Sequence, residues 1–330
     1  MSTEPNPWLT APDHSDLISI GTHSLHLSIT GAPRTHPSHP LILVFTGAGD
    51  ITFSWLPVRR LLPASLRVLF YDRSGLGKSE RGPNRLVASA AAGELLSALK
   101  AAGLDPPYIL CAHSYGAIVS REFLHLLPAG DVVGMVLADP STERQHLFFR
   151  VPDDDIDGVM GNMNYAKVTG LREDAKLSRE EWRERAKLLA KGVDAAKEEA
   201  MGFVEVCETL GGKRQVEKKV LKGRPLSIIR ANSKRDFERI YEKGVEEGNG
   251  SVEQRGRFRE LLDRFEDVDR DLKERLLGLT DGDNGKLVRV LDCGHNLQLC
   301  RPDVIIREIE WVVERVSGKE MRKGGKESLL

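Results

Sequence analysis

Three residue types that together perform nucleophilic catalysis occur in this chain at the ends of apolar segments. They are Ser114, Asp139 and His295, in that order along the sequence. A histidine can take the proton of a serine hydroxyl, while a carboxylate holds the imidazole in the required tautomer. If the apolar segments are neighbouring parallel strands, their carboxyl ends meet at one edge of a sheet. The three side chains would then form a candidate site for acyl transfer.

The residues around Ser114 favour this interpretation. The pentapeptide Ala-His-Ser-Tyr-Gly is a variant of Gly-x-Ser-x-Gly, with Ala112 in the first place and Gly116 in the last. Small residues at these two places permit a sharp strand-to-helix turn that exposes the serine hydroxyl. The pattern alone is weak, because an ordinary serine in a strand–turn–helix connection looks the same. Its position, after an apolar segment and before a helical one, gives it weight.

Strand-like and helix-like segments alternate through the first 140 residues. Short continuous apolar runs are typical of strands covered on both faces. We predict a hairpin at 17–30, strands at 41–46, 66–71, 108–112 and 132–138, and helices at 86–102 and 117–127. Such alternation predicts βαβ units and a doubly wound, mostly parallel α/β sheet.

The pattern changes after Asp139. Residues 141–222 have almost no strand signal and include a strongly charged helical stretch, which predicts a helical cap inserted before the penultimate strand. We predict two further strands at 226–231 and 286–291, separated by a charged helical segment at 236–278, and a last helix at 302–316. The expected domains are a disordered N-terminus at 1–16, an α/β core at 17–140 and 223–317, a helical cap at 141–222, and a loose tail at 318–330.

Several motifs together resemble the α/β-hydrolase family over about residues 17–140 and 223–316. The segment YDRSGLGKS at 71–79 resembles the family's D-x-R-G-x-G-x-S turn, AHSYG resembles its nucleophile elbow, and Gly294-His295 resembles its C-terminal catalytic histidine. The resemblance implies the α/β-hydrolase fold, with Ser114 as nucleophile and His295 as base. Residues 46–49 resemble the oxyanion loop, although Thr46 replaces the family's histidine. The backbone N–H groups of Ala48 and Tyr115 would then face the oxyanion.

The resemblance leaves two candidates for the acid. Many family members place it after the strand that follows the insertion, where this chain has Asp236, two residues beyond the expected slot. Some relatives, including certain haloalkane dehalogenases, place it directly after the earlier strand, where Asp139 stands. We favour Asp139 over Asp236, which could instead cap a helix.

Other residues near these motifs have structural alternatives. Asp72 and Arg73 are interpreted as residues that hold the glycine-rich turn and a neighbouring loop. Trp55 could line the pocket or lie in the core. An apolar face of the cap over the site, or a seam between cap and core, would be formed by Phe148, Phe149, Met160, Met163 and Tyr165.

Composition excludes several classes of protein. The 330 residues are 40% hydrophobic and carry 48 basic and 49 acidic side chains, so the chain can bury a core and has no charge-based reason to bind nucleic acid or a membrane. We find no signal peptide and no apolar run long enough to span a bilayer. The four cysteines form no C-x-x-C pair, which argues against a zinc site. A Cys293–Cys300 disulfide is possible by spacing, but free thiols in a cytoplasmic protein are the simpler reading.

The sequence therefore predicts a cofactor-free serine hydrolase, with no metal, that cleaves an ester, thioester or lactone bond of a small apolar molecule. A C–C hydrolase, lyase, cyclase or acyl transferase, or a non-catalytic binding module, remains an alternative on the same fold. A dinucleotide-binding domain is disfavoured, because Thr52 stands where the third glycine of the fingerprint is required.

Overall fold

The computed structural model describes residues 5–327, with side chains through residue 318. Its centre is one eight-stranded sheet with the order β1-β2-β4-β3-β5-β6-β7-β8. Strand β1 pairs antiparallel with β2, and β2 with β4, while all the other neighbours are parallel. The strands are β1 Asp13–Ser19, β2 Ser24–Thr30, β3 Leu41–Phe45, β4 Val68–Tyr71, β5 Tyr108–His113, β6 Val132–Ala138, β7 Leu226–Ala231 and β8 Gly285–Val290. The predicted doubly wound, mostly parallel α/β sheet is confirmed.

Helices occur before, between and after the strands. They are α1 Pro7–Thr10, α2 Leu56–Leu61, α3 Ala88–Ala102, α4 Gly116–Leu126, α5 Asp154–Met160, α6 Tyr165–Val168, α7 Leu171–Asp174, α8 Arg179–Lys191, α9 Val193–Met201, α10 Phe203–Gly212, α11 Ser233–Glu246, α12 Val252–Arg275, α13 Leu297–Cys300 and α14 Pro302–Glu327. None of the described helices is both long and apolar enough to cross a bilayer.

The continuous apolar strands are explained by cores on both faces of the sheet. Alternate residues of a strand point to opposite faces. In β3, Leu43 and Phe45 belong to a core shared with α3 and α4, while Ile42 and Val44 belong to a second core shared with α14. A central strand buried on both faces fixes the positions of its carboxyl end, where the candidate residues stand.

A helical layer lies over this edge, and it comes from two parts of the chain. Helices α5–α10 leave the sheet between β6 and β7, and α11 and α12 leave it between β7 and β8. Phe258 and Phe265 of α12 share an apolar cluster with Val159 of α5 and Ile240 of α11. Helices α11 and α12, which the sequence analysis placed in the α/β core, pack on α5 in the helical layer.

Both ends of the chain are more regular than predicted. Residues 1–16 were expected to be disordered, but α1 and β1 form there, and the Arg67 guanidinium donates to the carbonyl oxygens of Trp8 at 2.9 Å and Pro12 at 3.1 Å. Strand β1 is mostly exposed and polar, so it lacks the apolar signal of a buried strand. The tail expected to be loose from Gly318 continues α14 to Glu327. Residues 1–4 and 328–330 lie outside the described part.

Candidate active site

Ser114 stands at a strained turn between β5 and α4. Its φ of +53° lies in the left-handed region, which a residue other than glycine rarely adopts. Gly116 starts α4 so close to β3 that a Cβ atom there would lie 2.3 Å from the carbonyl oxygen of Phe45. Glycine is thus required at 116 for the helix to begin at this point, and the turn points the Ser114 side chain into a cavity.

A chain of hydrogen bonds joins three of the predicted site residues. The Oγ atom of Ser114 lies 2.8 Å from Nε2 of His295, and Nδ1 of His295 lies 2.6 Å from Oδ2 of Asp139. Because the carboxylate can only accept, Nδ1 carries the hydrogen and Nε2 is free to accept the serine proton. Residues 114, 139 and 295 come from the ends of β5, β6 and β8, as the sequence analysis expected for one edge of the sheet.

The two candidate acids occupy different positions around His295. Asp236 accepts a hydrogen bond from the backbone N–H of His295 at 2.9 Å. A Cβ atom on Gly294 would lie 2.1 Å from its carboxylate, so the glycine makes room for this contact. Burial raises the pKa of Asp236. Asp236 therefore holds the loop backbone, while Asp139 contacts the imidazole.

Four donors surround the Asp139 carboxylate. Besides His295, they are the backbone N–H of Ala231 at 3.1 Å, the hydroxyl of Ser233 and the ammonium of Lys273. Burial alone would raise the pKa of Asp139, but the Lys273 charge and the His295 contacts outweigh it and hold that pKa well below its usual range. The carboxylate is therefore ionised at neutral pH although it is buried.

The oxyanion-like loop is held by a buried ion pair. The Arg73 guanidinium donates to the carbonyl oxygens of Thr46 at 2.8 Å and Gly47 at 2.6 Å, and its Nε lies 2.6 Å from Glu199 of α9. Glu199 in turn accepts from the N–H of Gly49 at 2.7 Å. The structural interpretation of Arg73 is confirmed, and the loop between β3 and α2 is fixed to the helical layer.

Ala48 and Tyr115 both line the cavity beside Ser114. The backbone N–H groups of Ala48 and Tyr115 donate no hydrogen bond to any acceptor within residues 5–327. They are therefore free to face a negatively charged oxygen. His113, which precedes the serine, donates from Nε2 to the carbonyl oxygen of His295 at 2.9 Å. Burial, together with the nearby His295, lowers the pKa of His113 to about 3, so this ring stays neutral and braces the His295 loop.

The cavity next to Ser114 has a volume of about 220 Å³ and mostly apolar walls. Phe148, Phe149 and Tyr165 line it, as the sequence analysis expected of an apolar cap face, whereas Met160 and Met163 pack in the cluster behind it. Trp55 is fully buried in the core. Further apolar lining comes from Val151, Phe203, Phe237, Ile240, Leu261, Phe265, Val268 and Leu272.

The remaining predictions concern the cysteines, Asp72 and metal binding. All four cysteines are free and buried, so the Cys293–Cys300 disulfide is not formed. Asp72 accepts hydrogen bonds from the N–H groups of Thr52 at 2.8 Å and Lys78 at 3.1 Å, which confirms its structural interpretation. The described residues contain no cluster of three or more His, Cys, Asp or Glu side chains suited to a metal ion.

Comparison with known proteins decides the family. The profile of the alpha/beta hydrolase family matches residues 42–308. The chain belongs to the α/β-hydrolase family. Among relatives, an "AB hydrolase superfamily protein" from Gibberella zeae is 30% identical over 328 residues, which covers 94% of this chain and 99% of that protein.

Solved structures share the α/β-hydrolase fold. Cfl2 from Burkholderia cenocepacia superposes with a TM-score of 0.64 at 17% identity, covering 91% of this chain and 95% of that one. A thermophilic esterase from Thermogutta terrifontis gives a TM-score of 0.57 at 14% identity, covering 92% and 99% of the two chains. At these identities the likeness is one of fold.

Two residues of this α/β-hydrolase site were missed by sequence reasoning. Glu199 and Lys273 are buried and line the cavity. Both belong to strongly charged helical stretches, where most neighbours are solvent-exposed, so nothing in the local pattern sets them apart. Only the positions of α9 and α12 over the sheet edge bring them to Arg73 and Asp139.

Proposed function

We propose that this α/β-hydrolase is a serine hydrolase that cleaves a carboxylic ester, thioester or lactone bond of a small apolar molecule. The observation that carries the proposal is the hydrogen-bonded chain from Ser114 through His295 to Asp139, which opens on an apolar cavity. A nucleophile, a base and an orienting carboxylate within hydrogen-bond distance are what acyl transfer through serine requires.

Each residue has a role in this mechanism. His295 Nε2 takes the hydroxyl proton as Ser114 Oγ attacks the substrate carbonyl, and Asp139 stabilises the imidazolium that forms. The N–H groups of Ala48 and Tyr115 receive the charge on the former carbonyl oxygen, and one such donor typically contributes about 10²–10³ in rate. His295 then protonates the leaving alcohol or thiol. In the second half, water attacks the acyl-enzyme with His295 again as base.

The charges around the cavity favour a neutral substrate. Among the described residues that line it, the one lysine or arginine is Lys273, and its ammonium is paired with Asp139 and with Asp269 at 2.6 Å. Glu199 is paired with Arg73. Among the lining residues that the structure describes, no lysine or arginine is left to bind a carboxylate or phosphate of the substrate, whereas aromatic and aliphatic walls favour apolar groups.

The experiment is steady-state hydrolysis of p-nitrophenyl butyrate. Ser114→Ala should lower kcat by at least about 10³-fold, because the members of one catalytic unit act together. The matched control is Ser141→Ala, since Ser141 lines the same cavity but stands outside the hydrogen-bonded chain. Its kcat should stay close to that of the wild type. Undiminished turnover in Ser114→Ala, with both variants folded, would overturn the proposal.

A further inference from the structure

Lys273 is a buried cation in contact with the carboxylate that orients His295. It lies near the end of α12, and its side chain is 4% exposed. Its ammonium forms ion pairs with Asp139 and with Asp269, one helical turn earlier. Burial of an ammonium is strongly unfavourable unless it is paired, so both carboxylates are needed to keep it there.

Asp269 connects this lysine to a further cation. Its Oδ2 accepts a hydrogen bond from Nε of Arg230, in β7, at 2.7 Å. Arg230 also binds Glu266 at 2.9 Å. Charges therefore alternate from Arg230 through Asp269 and Lys273 to Asp139, which holds the His295 imidazole.

The lysine is not needed to satisfy the hydrogen-bonding capacity of Asp139. Oδ1 already accepts from the Ala231 N–H, and Oδ2 accepts from both Ser233 and His295. Neutral donors of this kind suffice to orient a carboxylate. What Lys273 adds is a positive charge beside the carboxylate, in a buried environment where charges are weakly screened.

We propose that Lys273 is a positioning residue that acts electrostatically on the His295 imidazole through Asp139. It keeps Asp139 ionised and offsets part of the carboxylate's negative charge at the imidazole. The consequence for rate rests on the proposed function, while the consequence for protonation does not. The role is electrostatic, and it is separate from the orientation of the imidazole.

The pKa shifts agree with the pairing. Burial would lower the pKa of Lys273, but the charges of Asp139 and Asp269 outweigh burial and raise it. Lys273 therefore stays charged throughout the range in which histidine titrates.

Other groups face His295 and Asp139 from the surrounding elements. Asp236, from α11, contacts the His295 N–H, and neutral His113 of β5 contacts the His295 carbonyl oxygen. Tyr165, from α6, lies near Asp236, with its hydroxyl 3.5 Å from the carboxylate. These groups stay in place in the variants below, so a change in titration reports on the lysine pair.

The test uses two variants that should shift the titration in opposite directions. Lys273→Met removes the positive charge, leaves the negative field of Asp139 uncompensated and favours imidazolium. Asp269→Asn removes a negative charge next to Lys273 while keeping an acceptor for Arg230, so the ammonium acts more strongly on Asp139 and disfavours imidazolium. The midpoint of His295 protonation should move by about 1 pH unit, upward in Lys273→Met and downward in Asp269→Asn.

Two readouts are compared in the full-length protein. NMR of ¹⁵N-labelled histidine follows His295 protonation without turnover, with a His295→Gln sample to assign the signal. The acid limb of the kcat/KM profile for p-nitrophenyl butyrate should shift in parallel. The matched control is Lys213→Met, which breaks a partly buried ion pair with Glu122 away from the site and should not move the midpoint.

The outcomes separate this inference from the proposed function. Shifts of opposite sign support it, and the downward shift in Asp269→Asn alone does so if Lys273→Met fails to fold. An unmoved midpoint in Asp269→Asn, or shifts of the same sign in both variants, would overturn it. If the wild type proves inactive towards esters, the proposed function fails while the NMR titration still decides the role of Lys273.

Discussion

Two regions of this molecule bring a serine, a histidine and an aspartate within contact distance of one another. One is the chain of Ser114, His295 and Asp139. In the other, Ser15 Oγ lies 2.9 Å from Nε2 of His26, and Nδ1 of His26 lies 3.3 Å from Asp72. A cavity of about 240 Å³ adjoins this second cluster, close to the volume beside Ser114. Residue types, order of contacts and a neighbouring cavity do not distinguish the two.

Backbone geometry and the hydrogen bonds that the carboxylate accepts distinguish the two clusters. Ser15 lies in the regular antiparallel strand β1 and is exposed, whereas Ser114 is held at positive φ beside the N–H of Tyr115. The Asp72 oxygens already accept from the backbone of Thr52 and Lys78. Nδ1 of His26 makes no hydrogen bond within the described part, so its contact with Asp72 is close but misaligned.

Three side chains therefore become a candidate nucleophilic site through the backbone and hydrogen bonds that hold them. At Ser114, a strained turn, free N–H groups and a carboxylate aimed at Nδ1 coincide. At Ser15, the carboxylate supports a loop, the serine is exposed on strand β1, and the histidine is buried in the neighbouring strand β2. We therefore expect the same substitution to have different consequences in the two clusters.

The largest difference is expected between the two aspartates. Asp139→Asn should lower kcat for p-nitrophenyl butyrate by about 10⁴-fold, because an amide facing Nδ1 favours the wrong imidazole tautomer. Asp72→Asn should leave kcat of the folded enzyme nearly unchanged. It should lower the free energy of unfolding by about 1–3 kcal/mol, because one partly buried loop N–H loses its acceptor. Enzyme assays and urea unfolding measure the two effects.

A control separates the acid from its neighbour. Asp236→Asn keeps an oxygen that can accept from the His295 N–H, so its kcat should fall far less than that of Asp139→Asn. The special role of Asp139 would be disproved if Asp236→Asn or Asp72→Asn lowered kcat as much as Asp139→Asn.

A smaller effect is expected from the ion pair that fixes the oxyanion-like loop, which the Ser15 cluster lacks. Glu199→Gln removes the charge that holds Arg73 and loosens the loop that carries Ala48. We expect kcat to fall by about tenfold with little change in KM, because displaced donors weaken the transition state more than substrate binding. Glu205→Gln, at an exposed pair with Arg85, is the matched control and should leave kcat unchanged. Equal kcat in both variants would show that the Arg73–Glu199 ion pair does not position the oxyanion-like loop for catalysis.

The sequence was informative where local patterns determine structure. Continuous apolar runs marked the buried strands, and the small residues around Ser114 marked the turn. The position of Asp139 directly after β6 put it at the right edge of the sheet. These features depend on neighbouring residues, so they can be recognised without tertiary contacts.

Long-range contacts were not accessible in this way. Lys273 and Asp139 are 134 positions apart, and Arg73 and Glu199 are 126 apart. Each pair forms because a helix of the helical layer crosses the edge of the sheet. Strand β1 was missed for another reason, since an exposed edge strand carries polar residues and has no apolar periodicity. The contribution of α11 and α12 to the helical layer likewise depends on packing against α5.

Covalent labelling with a fluorophosphonate identifies which serine is the nucleophile. After trypsin digestion, Ser114 lies in the peptide 101–121 and Ser15 in the peptide 1–34, so mass spectrometry distinguishes the two clusters in one sample. We predict one adduct per chain, on Ser114, and its absence in His295→Gln. An adduct on Ser15 with an unmodified 101–121 peptide, or no adduct on the folded wild-type protein, would contradict the assignment of Ser114 as the nucleophile.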